Sequence, residues 1–170
     1  MNLTIKITHV GNLPQQLKDL LAKAYQREFS WDKMIYAESQ WFVIGTFNKK
    51  LIGQVGVLER EISVGENRLR IGGIHGVITE PKHRCRGVAS ALMERSGHFI
   101  RNELHLPFGL LTCNRRLEAF YQKLGWKTVK GPCVFEQPDG PRSCGGLTMV
   151  VECGEQAWPE GRIDLCGLPW

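Results

Sequence analysis

Residues 77–89, VITEPKHRCRGVA, decide how this chain folds. The stretch opens as an apolar strand and closes as the first turn of a helix, because apolar side chains recur at helical spacing from Val88 to Ile100. Between the two lies a short basic loop with an Arg-x-x-Gly-x-Ala pattern. Its residues are Arg84, Cys85, Arg86, Gly87, Val88 and Ala89. The stretch therefore predicts a strand, a glycine-containing loop and a helix in direct succession.

A loop of this kind suits a phosphate group. The N-terminus of a helix presents unpaired backbone N–H groups and a partial positive charge. Gly87 lets a ligand come close to the backbone, and the two arginines add positive charge. No Gly-Lys-Ser/Thr sequence follows and the three-glycine dinucleotide pattern is absent, which argues against a P-loop kinase and a Rossmann domain. The loop predicts a pyrophosphate site, although a solvated basic turn would read the same way.

Composition narrows the class of protein. A length of 170 residues predicts a single domain, 1–170, with its own core. The net charge of +5 indicates an anionic partner, and a phosphorylated cosubstrate satisfies that. No run of Lys and Arg interleaved with aromatic residues occurs, so nucleic-acid binding is not expected.

The cysteines and the hydropathy point to a cytoplasmic protein. The six cysteines are scattered without a Cys-x-x-Cys pair, which predicts reduced thiols and no metal site. No stretch is apolar enough for a leader or a membrane span, so no membrane association is expected.

The order of elements predicts an α/β fold. Strands are expected at 3–8, 41–47, 51–61, 69–79, 108–112 and 147–152, and helices at about 14–24, 88–100 and 117–124. From Lys130 onward the pattern becomes irregular and rich in Gly and Pro, with one expected strand. A mixed sheet flanked by helices follows from this order.

A second motif, NRRLEAFYQKLGW at 114–126, follows one strand and one helix after the loop. Together the two motifs resemble the GCN5-related N-acetyltransferases (GNAT), which implies a mixed, mostly antiparallel sheet and acetyl-CoA as acyl donor. In that family a tyrosine near the end of this helix reaches the cofactor sulfur, so the resemblance makes Tyr121 the general acid for the departing thiolate. The alternative for Tyr121 is a core aromatic beside Phe120.

The resemblance narrows to the aminoglycoside 2′-N-acetyltransferases, with weaker similarity to the nodulation acyltransferases. The matching segments are 29–32, 58–60, 73–77, 121–126, 131–132 and 164–170. This implies CoA and a small aminoglycoside or amino sugar as partners, direct acyl transfer, a role in antibiotic resistance, and a homodimer. The implied cofactor-binding residues are Val77, Ile78, Thr79, Arg84, Cys85, Arg86, Gly87, Val88, Ala89 and Asn114. The sheet is expected to splay near His75 and Thr112 to admit the pantetheine arm.

The same resemblance implies a substrate site. Its residues are Asp32, Thr112, Asp164 and Trp170, the last through a terminal carboxylate. Each acid has a plainer alternative: a helix N-cap for Asp32 and a solvated strand position for Asp164. For Trp170 the alternative is a hydrophobic anchor.

Two departures from the family pattern reduce negative charge on the substrate side. His75 stands where the family carries Glu, so it is a candidate general base, with a structural role as the alternative. Residues 143–146, SCGG, replace an acidic cluster. Both changes favour a weakly charged aminoglycoside such as kasugamycin. An acyltransferase for another amino sugar or small amine, a longer-chain acyltransferase and a non-catalytic CoA-binding module remain open.

Overall fold

A computed structural model describes residues 2–29 and 33–170. The chain divides into two compact units. The first unit is Met1–Lys33, Glu38–Leu58 and Ile74–Ser96, and the second is Met34–Ala37, Glu59–Gly73 and Gly97–Trp170. Residues 50–64, 67–79 and 88–102 are each shared out between both units. In chain order the elements are β1 Thr4–His9, α1 Gln15–Phe29, β2 Trp41–Phe47, β3 Lys50–Val64, β4 Asn67–Thr79, α2 Val88–Asn102, β5 Phe108–Cys113, α3 Glu118–Gln122, β6 Lys127–Thr128, β7 Cys133–Gln137, β8 Gly140–Ser143, β9 Leu147–Glu152 and β10 Ile163–Asp164.

In the first unit, antiparallel strands support the two long helices. Strand β2 pairs antiparallel with β1 on one side and with β3 on the other. The first half of α2 lies close to this sheet because Gly53 has no side chain: a Cβ there would stand 2.9 Å from Leu92 and 3.0 Å from Val88. Leu21 on α1, and Leu13 just before the helix, pack with Ile44. Burial of one face of each helix holds this unit together.

In the second unit the pairing is mixed. Strand β5 pairs parallel with β4 at Gly72–Gly109 and Gly73–Leu110, and antiparallel with β9 along its whole length. Strand β9 also pairs antiparallel with β6. Strand β10 lies between β3 and β7, antiparallel to the first and parallel to the second, and β7 forms an antiparallel hairpin with β8. The predicted mixed, mostly antiparallel sheet with helices is confirmed.

Several predicted boundaries change. The helix expected at 117–124 is shorter: a 3-10 turn at Arg115–Leu117 precedes α3, which ends at Gln122. The irregular region after Lys130 contains β7, β8 and β10 as well as the predicted strand. No helix within 2–29 and 33–170 is long and apolar enough to span a membrane.

Candidate functional site

The loop between β4 and α2 contains two residues with left-handed backbone conformations. A 3-10 turn at Pro81–His83 leads into Cys85 and Gly87, which have φ values of +57° and +79°. Helix α2 begins at Val88, whose side chain is buried and anchors the helix start. A Cβ at Gly87 would meet no atom of the described residues within 4 Å. The exposed loop therefore offers open space directly above the first turn of a helix, where backbone N–H groups lack intrahelical acceptors.

Arg84 positions this loop. Its Nη2 donates to Glu28 Oε1 on α1 at 2.7 Å, and its Nε donates to the Thr79 carbonyl oxygen at 3.1 Å. Its backbone N–H donates to the Pro81 carbonyl oxygen at 3.3 Å. The Arg84 N–H therefore already has an acceptor inside the loop. Arg86 is exposed and precedes Gly87 in the sequence, where it adds positive charge.

The end of β4 presents an unmatched polar atom. Thr79 Oγ1 is buried and lacks a hydrogen-bond partner among the described residues. A buried hydroxyl without a partner is costly, so such atoms point to a missing ligand group or water. Val77 and Thr79 are half-buried and Ile78 is buried. The predicted cofactor segment thus carries a polar group that a bound ligand would satisfy.

His75 lies on β4 against an aromatic side chain of α1. The rings of His75 and Tyr25 are 4.9 Å apart at an angle of 31°. The next residue, Gly76, has a φ of +56°, and a Cβ there would lie 3.2 Å from the Tyr25 ring. A left-handed residue inside a strand re-aims the neighbouring backbone and side chain. The half-buried imidazole is therefore held in place at an irregular point of the strand.

Tyr121 lies on α3 with its ring buried, as expected of a core aromatic residue, but its hydroxyl makes no hydrogen bond to the described residues. The side chain is 5% exposed, and its ring lies 6.3 Å from that of Trp126. No hydrogen bond from the Oη atom is recorded within 2–29 and 33–170, and Oη is not among the buried unpaired atoms there, so the hydroxyl keeps contact with solvent. Burial, with a smaller effect of the Cys113 thiol, raises the pKa of Tyr121. The phenol therefore keeps its proton at neutral pH.

Two residues near β5 have defined local roles. The Asn114 side chain accepts a hydrogen bond from the Arg116 N–H at 3.0 Å and caps the 3-10 turn. Thr112 is half-buried and lies opposite Thr148 on β9. The parallel ladder between β4 and β5 ends at Gly73 and Leu110, two residues before His75 and Thr112 on their respective strands.

The C-terminal segment contains the other predicted substrate residues. Trp170 is 5% exposed, its Nε1 lies 3.5 Å from the Leu110 carbonyl oxygen, and a Cβ at Gly73 would be 2.5 Å from its indole. The indole is therefore an anchor at the last pair of the β4–β5 ladder. Asp164 Oδ1 accepts from the Cys166 N–H at 2.9 Å, which leaves the other carboxylate oxygen for further contacts. Asp32 lies outside the described residues.

The contact of Arg60 with the C-terminal segment was not predicted from the sequence. Its guanidinium lies 5.4 Å from the centre of the Trp170 ring, and Nη1 donates to the Leu168 carbonyl oxygen at 2.6 Å. Burial lowers the pKa of Arg60. Residues 58–60 contributed to the family resemblance, but a contact across more than a hundred residues leaves no local signal.

Comparison with known proteins agrees with this geometry. Residues 13–129 match the family model of the acetyltransferase (GNAT) domain, so the chain belongs to the GNAT acetyltransferase family. The chain is similar to the aminoglycoside 2′-N-acetyltransferase of Mycolicibacterium fortuitum, with 23% identity over 141 residues, covering 81% of this chain and 71% of that protein. The predicted family is confirmed.

Solved structures share the fold. Escherichia coli ElaA has a TM-score of 0.68 and 18% identity, covering 88% of this chain and 99% of its own. The GNAT family N-acetyltransferase YhbS from Escherichia coli, solved in complex with CoA, has a TM-score of 0.65 and 14% identity, covering 96% of this chain and 89% of its own. No group of three or more His, Cys, Asp or Glu side chains that could hold a metal occurs in the described ranges.

Proposed function

We propose that this chain transfers the acetyl group of acetyl-CoA to an amino group of an aminoglycoside, at the 2′ position. The observation that carries the proposal is the loop after β4, with its left-handed Gly87 open above the first turn of α2. A pyrophosphate fits such a loop because backbone N–H groups and a helix N-terminus stabilise negative charge. Membership of the GNAT family supports CoA as the molecule that carries this pyrophosphate.

Each residue of the loop has a proposed role in binding acetyl-CoA. The N–H groups of Cys85 through Ala89 hold the pyrophosphate, and Arg86 adds charge. Arg84 keeps the loop against α1 through Glu28. The backbone of Val77, Ile78 and Thr79 receives the pantetheine arm, and the unpaired Thr79 hydroxyl gains a partner there. Asn114 supports the turn before α3 and acts on the cofactor indirectly.

Transfer requires one proton to leave the amine and one to reach the sulfur. Bound acetyl-CoA supplies a thioester that an uncharged amine can attack. His75, oriented by Tyr25, accepts a proton from the amine directly or through water. A backbone N–H beside Gly76 stabilises the negative charge on the carbonyl oxygen. As the C–N bond forms and the C–S bond breaks, Tyr121 donates a hydrogen bond or proton to the CoA sulfur. No protein nucleophile is needed.

Two observations support the identity of the acceptor substrate: the similarity to a relative and the charge of the residues proposed to face the substrate. The relative from Mycolicibacterium fortuitum, whose name specifies an aminoglycoside 2′ position, supports the substrate class. His75 and residues 143–146 carry no carboxylate, which disfavours a polycation. Asp164 and Thr112 supply polar contacts. A weakly cationic aminoglycoside such as kasugamycin is therefore the proposed acceptor, and resistance to it the proposed consequence.

A thiol-release assay tests the proposal. The purified chain is mixed with acetyl-CoA and each member of a panel of aminoglycosides, including kasugamycin and strongly cationic ones, and CoA thiol is followed by absorbance. NMR of the product identifies the acetylated nitrogen. Release with kasugamycin above the strongly cationic members, with acetylation at the 2′-amine, supports the proposal. Release without any aminoglycoside dependence, or none at all, contradicts it. Gel filtration with light scattering tests the homodimer.

A further inference from the structure

The hairpin of β7 and β8 places two thiols in contact outside the proposed catalytic residues. Val134 pairs with Ser143 across the hairpin, and a cysteine flanks each of them on the same side: Cys133 precedes Val134 and Cys144 follows Ser143. The Cys144 N–H donates to the Cys133 carbonyl oxygen at 2.8 Å, and the two Sγ atoms are also 2.8 Å apart. Directly opposed residues of an antiparallel pair have Cα atoms about 5.5 Å apart, within the range of about 4.4–6.8 Å that a disulfide spans. The opposed positions therefore bring the two sulfurs within reach of a disulfide bond.

The two thiols differ in access and in charge. Cys133 is 5% exposed and Cys144 is half-buried, so a reagent reaches the Cys144 sulfur first. The hydrogen bond from Cys144 lowers the pKa of Cys133, assisted by Thr148 and opposed by burial and the charge of Asp164. The same hydrogen bond raises the pKa of Cys144. When one of the two thiols loses its proton, the charge is therefore favoured on Cys133.

We propose that Cys133 and Cys144 form a reversible disulfide by exchange with a low-molecular-weight disulfide such as oxidised glutathione. The Cys144 thiol passes its proton to the Cys133 thiolate, and the resulting Cys144 thiolate attacks one glutathione sulfur, which forms a mixed disulfide and expels the first glutathione as a thiolate. That glutathione takes the proton from Cys133 and leaves as a thiol. The Cys133 thiolate then attacks the Cys144 sulfur and expels the second glutathione, which takes a proton from water. Two protein thiols are oxidised to one disulfide, and one oxidised glutathione is reduced to two thiols.

The other cysteines lack this arrangement. Cys113 contacts the Met149 sulfur at 3.7 Å, and the Cys153 thiol lies 3.9 Å from the Val151 carbonyl oxygen. Burial raises the pKa of each of these two thiols. Cys85 and Cys166 are exposed, and the Cys166 thiol donates to the Asp164 carbonyl oxygen at 3.4 Å. Oxidation with glutathione therefore distinguishes a linked pair from single mixed disulfides.

Peptide mapping after oxidation tests the proposal on the folded chain. The reduced protein is equilibrated in mixtures of oxidised and reduced glutathione, blocked with N-ethylmaleimide, and digested with trypsin. Cleavage after Lys130, Arg142 and Arg162 puts Cys133 in peptide 131–142 and Cys144 in peptide 143–162. The second peptide also holds Cys153, so fragmentation of the linked species, and a parallel digest of Cys153→Ser, assign the bond. The expected result is a 133–144 link with two fewer blocked thiols, reversed by reduced glutathione.

Matched variants complete the test. Cys133→Ser should give only a glutathione adduct on Cys144, and Cys144→Ser should leave Cys133 unmodified while the protein stays folded by circular dichroism. Glutathione on Cys85 and Cys166 without the 133–144 link would overturn the proposal. A link that forms only in urea would also overturn it, since the geometry of the folded hairpin would then play no part.

Discussion

A side chain added at Gly87 would project into the space proposed for the pyrophosphate. Gly87→Val places a β-branched residue at a φ of +79° and fills the opening, so acetyl-CoA affinity should be lost while the fold survives. The left-handed conformation costs about 1–2 kcal/mol of stability. Calorimetric titration with acetyl-CoA measures the affinity. Gly97→Ala in α2, where the added methyl also meets no described atom within 4 Å, is the control and should keep full affinity. Unchanged affinity in Gly87→Val would remove the loop from the site.

Tyr121 tests acid catalysis with little structural disturbance. Because no hydrogen bond to the hydroxyl is recorded in the described ranges, Tyr121→Phe should leave the melting temperature nearly unchanged. If the phenol protonates the sulfur, kcat should fall by about 10²–10⁴-fold. Steady-state kinetics measure this, and acetyl-CoA affinity from calorimetry should remain that of the wild type. A variant with full turnover would assign Tyr121 to the core alone.

His75 can be tested without losing its packing. His75→Phe keeps a ring against Tyr25 but cannot take up a proton. If His75 is the base, kcat/KM of the wild type should fall at acid pH, because a protonated imidazole cannot accept a proton from the amine. Both His75→Phe and His75→Ala should have a low kcat/KM that does not change with pH on the acid side of the profile. An acid limb that persists in His75→Phe would belong to the amine substrate and leave His75 structural.

At the scale of elements, the packing of the C-terminal segment depends on the indole of Trp170. Trp170 covers Gly73 and stacks under Arg60, while the Pro169 carbonyl oxygen accepts from the Ala37 N–H at 2.7 Å. Trp170→Ala should lower the free energy of unfolding by about 3–5 kcal/mol, as for other buried aromatic residues. Trp170→Phe keeps part of the packing and should lose less. Urea unfolding gives both values. Equal stability of Trp170→Ala and the wild type would show that the indole is not an anchor.

Helices and strands whose own residues show a clear apolar periodicity could be predicted from the sequence. Elements that form only by pairing with residues distant in the sequence could not. Helix α2 and strand β4 were predicted because their apolar periodicity is contained in the element itself, and the loop between them follows from Gly87. Strand β10 has two residues and exists only because β3 and β7 lie on either side of it. The contact of Arg60 with Trp170, and that of Cys133 with Cys144, depend on such pairings. The roles proposed for Tyr121 and His75 came from family resemblance and stay predictions.

At the scale of the whole molecule, buried groups that must stay protonated predict loss of stability in alkali. Burial is the main cause that raises the pKa of Cys113 and Cys153 above the ordinary cysteine value of 9.0. It likewise raises the pKa of Tyr121 above the ordinary tyrosine value of 10.0. Below these values the groups are protonated in both states and their contribution to stability is fully present. As pH rises through and above this window, the unfolded chain releases protons that the folded chain retains, so unfolding becomes easier.

The size of this effect is measurable. Each fully buried group that is ionised only in the unfolded chain steepens the fall by about 1.4 kcal/mol per pH unit, and the half-buried Cys113 contributes less because solvent screens it. The free energy of unfolding from urea titrations should therefore be level near neutral pH and decline from about pH 9 upward. Cys113→Ser replaces a half-buried thiol with a group that does not ionise in this range, and should make the decline shallower. Cys166→Ser, at an exposed position, serves as the control for replacing a thiol with a hydroxyl. A wild-type protein whose stability stays level to about pH 10 would contradict the assignment of these thiols as buried and protonated, because unfolded cysteine would by then have lost most of its protons.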